Sequence, residues 1–294
     1  MDEPGSLPEF EMPARYNYIA AFLTLACNLK CSFCINDFGQ AARRFGALSG
    51  SAWLRGLNRI VSRPDLPVTL QGGEPSLHPD FLRIIDGLRP DLAIDILTNL
   101  QFDVDAFMAA VPAERLRRDA PYAAIRVSYH PEVMALDELT PKVLALQDNG
   151  YSVGVWTVEH PGYAAELAQA RAVCERAGID FRTKEFLGTF EGRMHGTYKY
   201  PGALARGAPR RVTCRTSELL IAPDGSVYRC HGDLYGGAAA VGHIADATFA
   251  PRDVYRPCAR FGYCNPCDVK VKTDRFQQDG HTSVEIRFPS EARR

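Results

Sequence analysis

Between Tyr16 and Leu187 the chain alternates between two periodicities. Short apolar runs rich in β-branched and aromatic residues are each followed by a longer stretch whose apolar positions recur every three or four residues. The runs YIAAFLTL, PVTLQ, AIDILT, AIRVSYH, YSVGVWTVE and DFRTKEFL predict six strands. Residues 51–61, 79–88, 104–110, 141–149 and 163–177 predict the intervening helices, and Gly150 and Gly178 stand where helix stops belong. Six βα units with short connections predict an α/β fold with a parallel sheet and right-handed crossovers, an open, partial (β/α)6 TIM-like barrel. Ligands of such sheets bind at the carboxyl ends of the strands.

The pattern changes after Phe190. The segment GTFEGRMHGTYKYPGALARGAP is rich in glycine and proline and reads as a linker or lid. In ELLIAPDGSVYRC two strand-like runs flank Pro223-Asp224-Gly225, where proline fixes φ and glycine permits a positive φ, so a β-hairpin is expected. The tail KVKTDRFQQDGHTSVEIRF reads as a closing strand with a turn near Asp279-Gly280. Two units follow: residues 14–190 as the barrel, and residues 191–294 as a cysteine-rich extension and tail. No internal repeat is present.

The chain has 294 residues, 46% of them hydrophobic, enough for a sizeable core. Its formal charge of −1 supplies no basic field for a nucleic-acid backbone. Arg43-Arg44 and Arg210-Arg211 read as solvated surface. No run of 18 apolar residues predicts a membrane span. The start, MDEPGSLPEF, is acidic and lacks the basic and apolar regions of a signal peptide, so a cytoplasmic location is expected.

In that reducing compartment nine cysteines argue for metal sites over disulfides. Cys174 shares an apolar helix face with Tyr163, Leu167, Ala170 and Ala177 and reads as core packing. The others cluster. Cys27, Cys31 and Cys34 form CxxxCxxC after the first strand, and five more lie between Cys214 and Cys267. Thiolates bind zinc or iron–sulfur cubes. Structural zinc takes four protein ligands, yet the histidine nearest the triad is His78. A cube on three thiolates keeps one iron open to a small molecule. TLQGGEPSLHPD follows at the end of the second strand, with two glycines that let backbone approach closely.

This conjunction resembles the radical S-adenosylmethionine superfamily over roughly Tyr16 to Leu187. The resemblance implies that Cys27, Cys31 and Cys34 hold a [4Fe–4S] cluster whose fourth iron binds the amine and carboxylate of S-adenosylmethionine. It implies that Phe33 lies beside the adenine and that Gly72, Gly73 and Glu74 contact the methionine amine. Asn99 in LTN and Ser128 in VSYHP are further cofactor contacts, although Asn99 also reads as a turn cap and Ser128 as a strand-end hydroxyl. Leu100 occupies the place of a usual glycine. The pattern C-x10-G-x4-C from Cys214 to Cys230, followed by Cys258, Cys264 and Cys267, resembles the opening of SPASM and twitch extensions. Five thiols suffice for one auxiliary [4Fe–4S] cluster, and the resemblance implies Cys214, Cys230, Cys264 and Cys267 as its ligands. Cys258 then remains as a spare thiol, a ligand in place of one of the four, or a catalytic hydrogen-atom donor; a zinc site is the plainer alternative for the segment.

Polar groups at strand ends, His130, Glu159, His160, Arg182, Lys184 and Glu185, are candidate substrate contacts or proton acceptors. Equally they read as loop polarity and helix caps. Tyr198, Tyr200 and Tyr235 line a pocket or merely pack. The resemblance implies reductive cleavage of S-adenosylmethionine to a 5′-deoxyadenosyl radical, with a reducing partner such as flavodoxin or ferredoxin. Only about 15 residues precede the first strand, which leaves no space there for a leader-peptide domain. The expectation is therefore oxidation or epimerisation of a small hydrophilic molecule, sugar-like or aminocyclitol-like. A peptide- or protein-modifying maturase is the alternative, and a non-catalytic iron–sulfur carrier or zinc scaffold is the alternative of another class.

Overall fold

A computed structural model describes residues 7–37, 45–207, 209–274 and 277–289. Strands β1 (Tyr18–Thr24), β2 (Val68–Gly72), β3 (Ile94–Thr98), β4 (Ile125–Tyr129), β5 (Val153–Glu159) and β6 (Phe181–Glu185) match the six predicted runs, β2 running one residue further, to Gly72. They lie side by side in chain order, all parallel. Helices α1 (Gly50–Leu57), α2 (Phe81–Gly87), α3 (Val104–Ala110), α4 (Leu136–Asp148) and α5 (Ala164–Arg176) alternate with them. Gly150 and Gly178 follow α4 and α5 with φ of +81° and +70°, the left-handed stop that glycine allows.

Side chains alternate across a strand, so each strand serves two compartments. Ile19, Leu70, Ile96 and Val127 on one face pack with Trp53, Ile84, Phe107 and Val143 of the helices, and all eight are 0–1% exposed. Cys174 is fully buried in this core, as its periodicity predicts. Each fully buried leucine or isoleucine contributes about 1.5–3 kcal/mol. Alternate positions turn Phe22, Gln71, Asp95, Leu97, Arg126 and Trp156 to the opposite face, where a cavity forms.

The extension does not stand apart from this sheet. After β7 (Arg210–Thr216), strand β8 (Glu218–Ile221) runs parallel to the outer edge of β1, with Glu218 opposite Tyr18 and Ile221 opposite Ala21. β9 (Ser226–Tyr228) and β10 (Gly242–His243) continue antiparallel, giving nine strands among the described residues. The predicted hairpin turn lies between β8 and β9, with Gly225 at φ +83°. The six-strand expectation was short because β1 had an open edge, and the apolar run ELLI covers it. β7 also pairs antiparallel with β11 (Arg256–Phe261) and β12 (Val284–Arg287). Two short helices, α6 (His231–Tyr235) and α7 (Pro266–Val269), complete the extension.

Three local expectations change. α4 begins at Leu136, so Pro141 sits inside it and forgoes one backbone bond. The expected linker contains a hairpin, Gly188–Phe190 against Arg193–His195, turned by Glu191 and Gly192 at positive φ. Asp279 and Gly280 belong to a strand, Gln277–His281, that pairs with Lys272–Asp274, and are not a turn. Arg43-Arg44 lies outside the described residues.

Candidate active site

The loop after β1 carries Cys27, Cys31 and Cys34. Its course is set by backbone contacts with the end of β2. The Gly73 and Glu74 amides donate to Thr24 and Ala26 carbonyls, each at 2.9 Å. A Cβ on Gly72 would meet the Thr24 oxygen at 2.0 Å, and one on Gly73 the Ala26 oxygen at 2.3 Å. Both glycines are thus required to seat the cysteine loop itself. Glu132, which sequence reasoning passed over, clamps the middle of the loop by accepting from the Ser32 amide and hydroxyl, both at 2.9 Å. Asn36 closes it, donating to the Gly72 carbonyl at 3.1 Å and accepting from the Tyr235 hydroxyl at 2.6 Å.

Glu74 is 1% exposed and turned towards β3. Its carboxylate accepts from the Ser76 amide at 3.1 Å, the Thr98 hydroxyl at 2.8 Å and the Asn99 amide at 2.7 Å. Asn99 in turn donates to Asn28 Oδ1 at 2.7 Å, with Cys27 Sγ 4.0 Å from its Nδ2. The ends of β2 and β3 therefore brace the first cysteine. Leu100 adopts φ +57° while fully buried, which explains the glycine preference at that place; the left-handed conformation costs about 1–2 kcal/mol, offset by the buried side chain. Ser128 is half-buried near the end of β4.

The three thiols are mutual neighbours. Burial, then the charges of Cys34, Cys27 and Glu132, push the Cys31 thiol up to about 12. Cys31 therefore resists losing its proton alone, and a bound cation inverts that balance. Cys27 is exposed and the other two are half-buried, so the trio opens outward from the loop. Three soft thiolates with one outward face fit a cube with an open iron better than a closed zinc shell.

Phe33 stands in a nest of rings: His160 at 4.9 Å, His130 at 5.3 Å, Tyr163 at 6.2 Å and Phe186 at 6.4 Å between centroids. Burial lowers both histidines, His130 to about 4, so each is neutral near pH 7. A planar neutral wall of this kind suits a flat aromatic ligand.

Below the nest a cavity of about 600 Å³ is lined by Phe33, Gln71, Arg126, Trp156, Lys184 and Cys267, among others. That volume suits a small ligand. Arg126, Arg182, Lys184, Lys270 and Lys272 line it against the carboxylates Glu185 and Glu218. Asp95, fully buried, holds Arg126 at 3.0 Å and Arg118 at 2.7 Å, one carboxylate between two guanidiniums. Glu218 accepts from Lys272 and Ser283 on one oxygen, each at 2.5 Å. Its other oxygen is buried without a hydrogen-bond partner. Asp95, Arg126 and Glu218 were visible in the sequence as charges inside apolar runs. Their partners were not. Asp268 accepts from the His231 amide and ring at 3.0 and 2.9 Å and from the Gly232 amide at 2.9 Å, tying α6 to α7.

The extension brings its cysteines to two different places. Cys214 on β7 hydrogen-bonds Cys258 on the neighbouring β11. That contact holds the Cys258 thiol down, with the Arg260 amide and Arg229 assisting, and raises Cys214. Cys230 accepts from the Asp233 amide at 3.3 Å, and its thiol is pushed well up by burial, then by Asp268 and Asp233. Burial raises Cys264 to about 12. Cys267 lines the cavity, and Cys258 is not among its lining residues.

No family model matches the chain. It is 29% identical to a GTP 3′,8-cyclase of Klebsiella pneumoniae strain 342 over 220 residues, covering 74% of this chain and 59% of that protein. It is 37% identical to a PqqA peptide cyclase of Methylorubrum populi over 81 residues, covering 28% and 21%. The chain thus spans three fifths or less of the length of these curated relatives. In fold it is similar to anSMEcpe solved with AdoMet and the Kp18Cys peptide, at a TM-score of 0.54 and 14% identity over 81% of this chain and 78% of that one.

Proposed function

From the premise that the chain belongs to the radical S-adenosylmethionine superfamily, with a [4Fe–4S] cluster and S-adenosylmethionine as cofactors, we propose that it starts a radical oxidation of a small polar substrate carrying an anionic group. We take residues 14–190 as a partial (β/α)6 barrel and residues 191–294 as an extension holding one auxiliary [4Fe–4S] cluster on four of its five thiols. Cys27, Cys31 and Cys34 would hold the first cluster, which when bound would supply the electron for reductive cleavage of S-adenosylmethionine and so for hydrogen abstraction from the substrate. A flavodoxin or ferredoxin is the reductant in this reading.

The chain's own residues do the rest. Gly72 and Gly73 seat the cysteine loop, and Glu74 and Asn99 hold its first thiol in register. Phe33, His160 and Phe186 form the face against which the adenine stacks. The observation that carries the substrate class is the cavity wall, where Lys184 and Lys270 stand beside Arg126, Arg182 and Lys272, themselves paired with Asp95, Asp180 and Glu218, and beside Glu185. It favours a phosphate or carboxylate over the aminocyclitol expected from sequence. Oxidation is preferred to epimerisation because an auxiliary cluster in the extension would supply an electron outlet, and Cys258, the thiol weighed as hydrogen donor, is not among the residues lining the cavity.

A peptide is the second reading, favoured by the PqqA cyclase relative and the peptide-bound structural neighbour. Anaerobic incubation of reduced, reconstituted protein with S-adenosylmethionine is expected to yield 5′-deoxyadenosine. Adding pools of phosphorylated or carboxylated small molecules is expected to raise that yield, with deuterium passing from labelled substrate into 5′-deoxyadenosine. Stimulation by peptides alone would favour the second reading, and no 5′-deoxyadenosine at all would leave only an electron carrier or zinc scaffold.

A further inference from the structure

The spacing C-x-x-C makes Cys264 and Cys267 look like a ligand pair, yet the fold separates their surroundings. Cys214, Cys230, Cys258 and Cys264 all pack into one apolar cluster with Val212, Phe261 and Ile286. The strand pair β7 and β11 brings Cys214 and Cys258 within hydrogen-bonding reach. One ion pair, Arg229 with Asp233 at 2.7 Å, serves the whole group. The guanidinium acts on Cys214, Cys230 and Cys258, and the Asp233 carboxylate acts on Cys230, Cys258 and Cys264.

Cys267 keeps other company. It is the second residue of α7, its amide donating to the capping Asn265 Oδ1 at 2.9 Å. Its thiol lies in the field of His231, Lys272 and Tyr198 and lines the cavity. His231 and Lys272 beside Cys267 are paired with Asp268 and Glu218, whereas the other four cysteines share one apolar cluster beside Arg229.

Building on the auxiliary-cluster reading, we infer that the ligands of that cluster are Cys214, Cys230, Cys258 and Cys264, and that Cys267 is a free thiol on the substrate-cavity wall. This departs from the pairing that the spacing implies.

The test uses full-length protein whose triad has been removed by C27A, C31A and C34A, so that only the extension can hold iron. Anaerobic reconstitution is expected to leave about four irons per chain and one reducible cluster signal in electron paramagnetic resonance. Adding C267A is expected to keep both, and adding C258A is expected to lose most of the iron and the signal. Loss with C267A and retention with C258A overturns the inference while preserving the auxiliary cluster. Absence of iron before either substitution overturns both. Because C258A can impair folding, the unsubstituted, fully loaded enzyme provides a second readout. Iodoacetamide followed by peptide mass mapping is expected to alkylate Cys267 and spare Cys258; the reverse order contradicts the assignment.

Discussion

Gly73→Ala is expected to lower 5′-deoxyadenosine formation at least 100-fold and to deplete the iron bound by the triad. The added methyl would sit 2.3 Å from the Ala26 oxygen, 2.6 Å from the Ala26 carbonyl carbon and 2.6 Å from the Leu25 oxygen. All three are backbone atoms, so no side chain can swing aside. Relief requires moving residues 24–26, and Cys27 follows directly. A 100-fold loss corresponds to about 2.7 kcal/mol, well within what a forced backbone shift at a reaction centre removes. Iron analysis and a timed cleavage assay report the two effects together. Gly46→Ala, at a position with nothing within 4 Å, is the matched control and should leave both unchanged.

Arg59→Met is expected to destabilise the fold by about 3–5 kcal/mol without touching the cavity. The guanidinium is 2% exposed in its residue's surroundings and donates to five carbonyls. They belong to Pro8 at 2.6 Å, Ile244 and Asp246 at 2.7 Å, and Ala247 and Phe249 at 3.2 Å. One side chain thus joins the first described residues to the loop after β10. Methionine fills much of the volume but leaves buried carbonyl oxygens unpaired. A chain of this size should lose about 5–8 °C in melting temperature, read by thermal denaturation of loaded enzyme. Lysine, with a compact charge that cannot span five acceptors, should restore only part.

The six strands were legible because each is a short apolar run whose alternation and flanking turns are local. The start of α4 was not, since a proline reads as a first-turn residue and Leu136–Thr140 carry no stronger start signal. The pairing of Glu218–Ile221 with β1 was illegible for a deeper reason: a strand's sequence states that it is apolar, not which edge it will cover. The same limit governs the site. The spacing of Cys27, Cys31 and Cys34 marks a ligand loop, because all three lie within one turn of chain. The spacing of Cys264 and Cys267 does not say that α7 begins between them and that their sulfurs meet different neighbours. Glu74 illustrates the mixed case. Its place after two glycines marks it as functional, but only the fold shows its carboxylate bound to Thr98 and Asn99.

The account stands on Cys27, Cys31 and Cys34 as the three protein ligands of a cluster whose remaining iron would take the methionine end of S-adenosylmethionine. Electron–nuclear double resonance on the reduced enzyme, with the cosubstrate labelled by ¹⁵N at the amine and ¹³C at the carboxylate, tests this directly. Hyperfine coupling to both labels is the expected result, lost when the three cysteines are replaced. An intact reduced cluster showing neither coupling, or zinc bound at the triad, would contradict it.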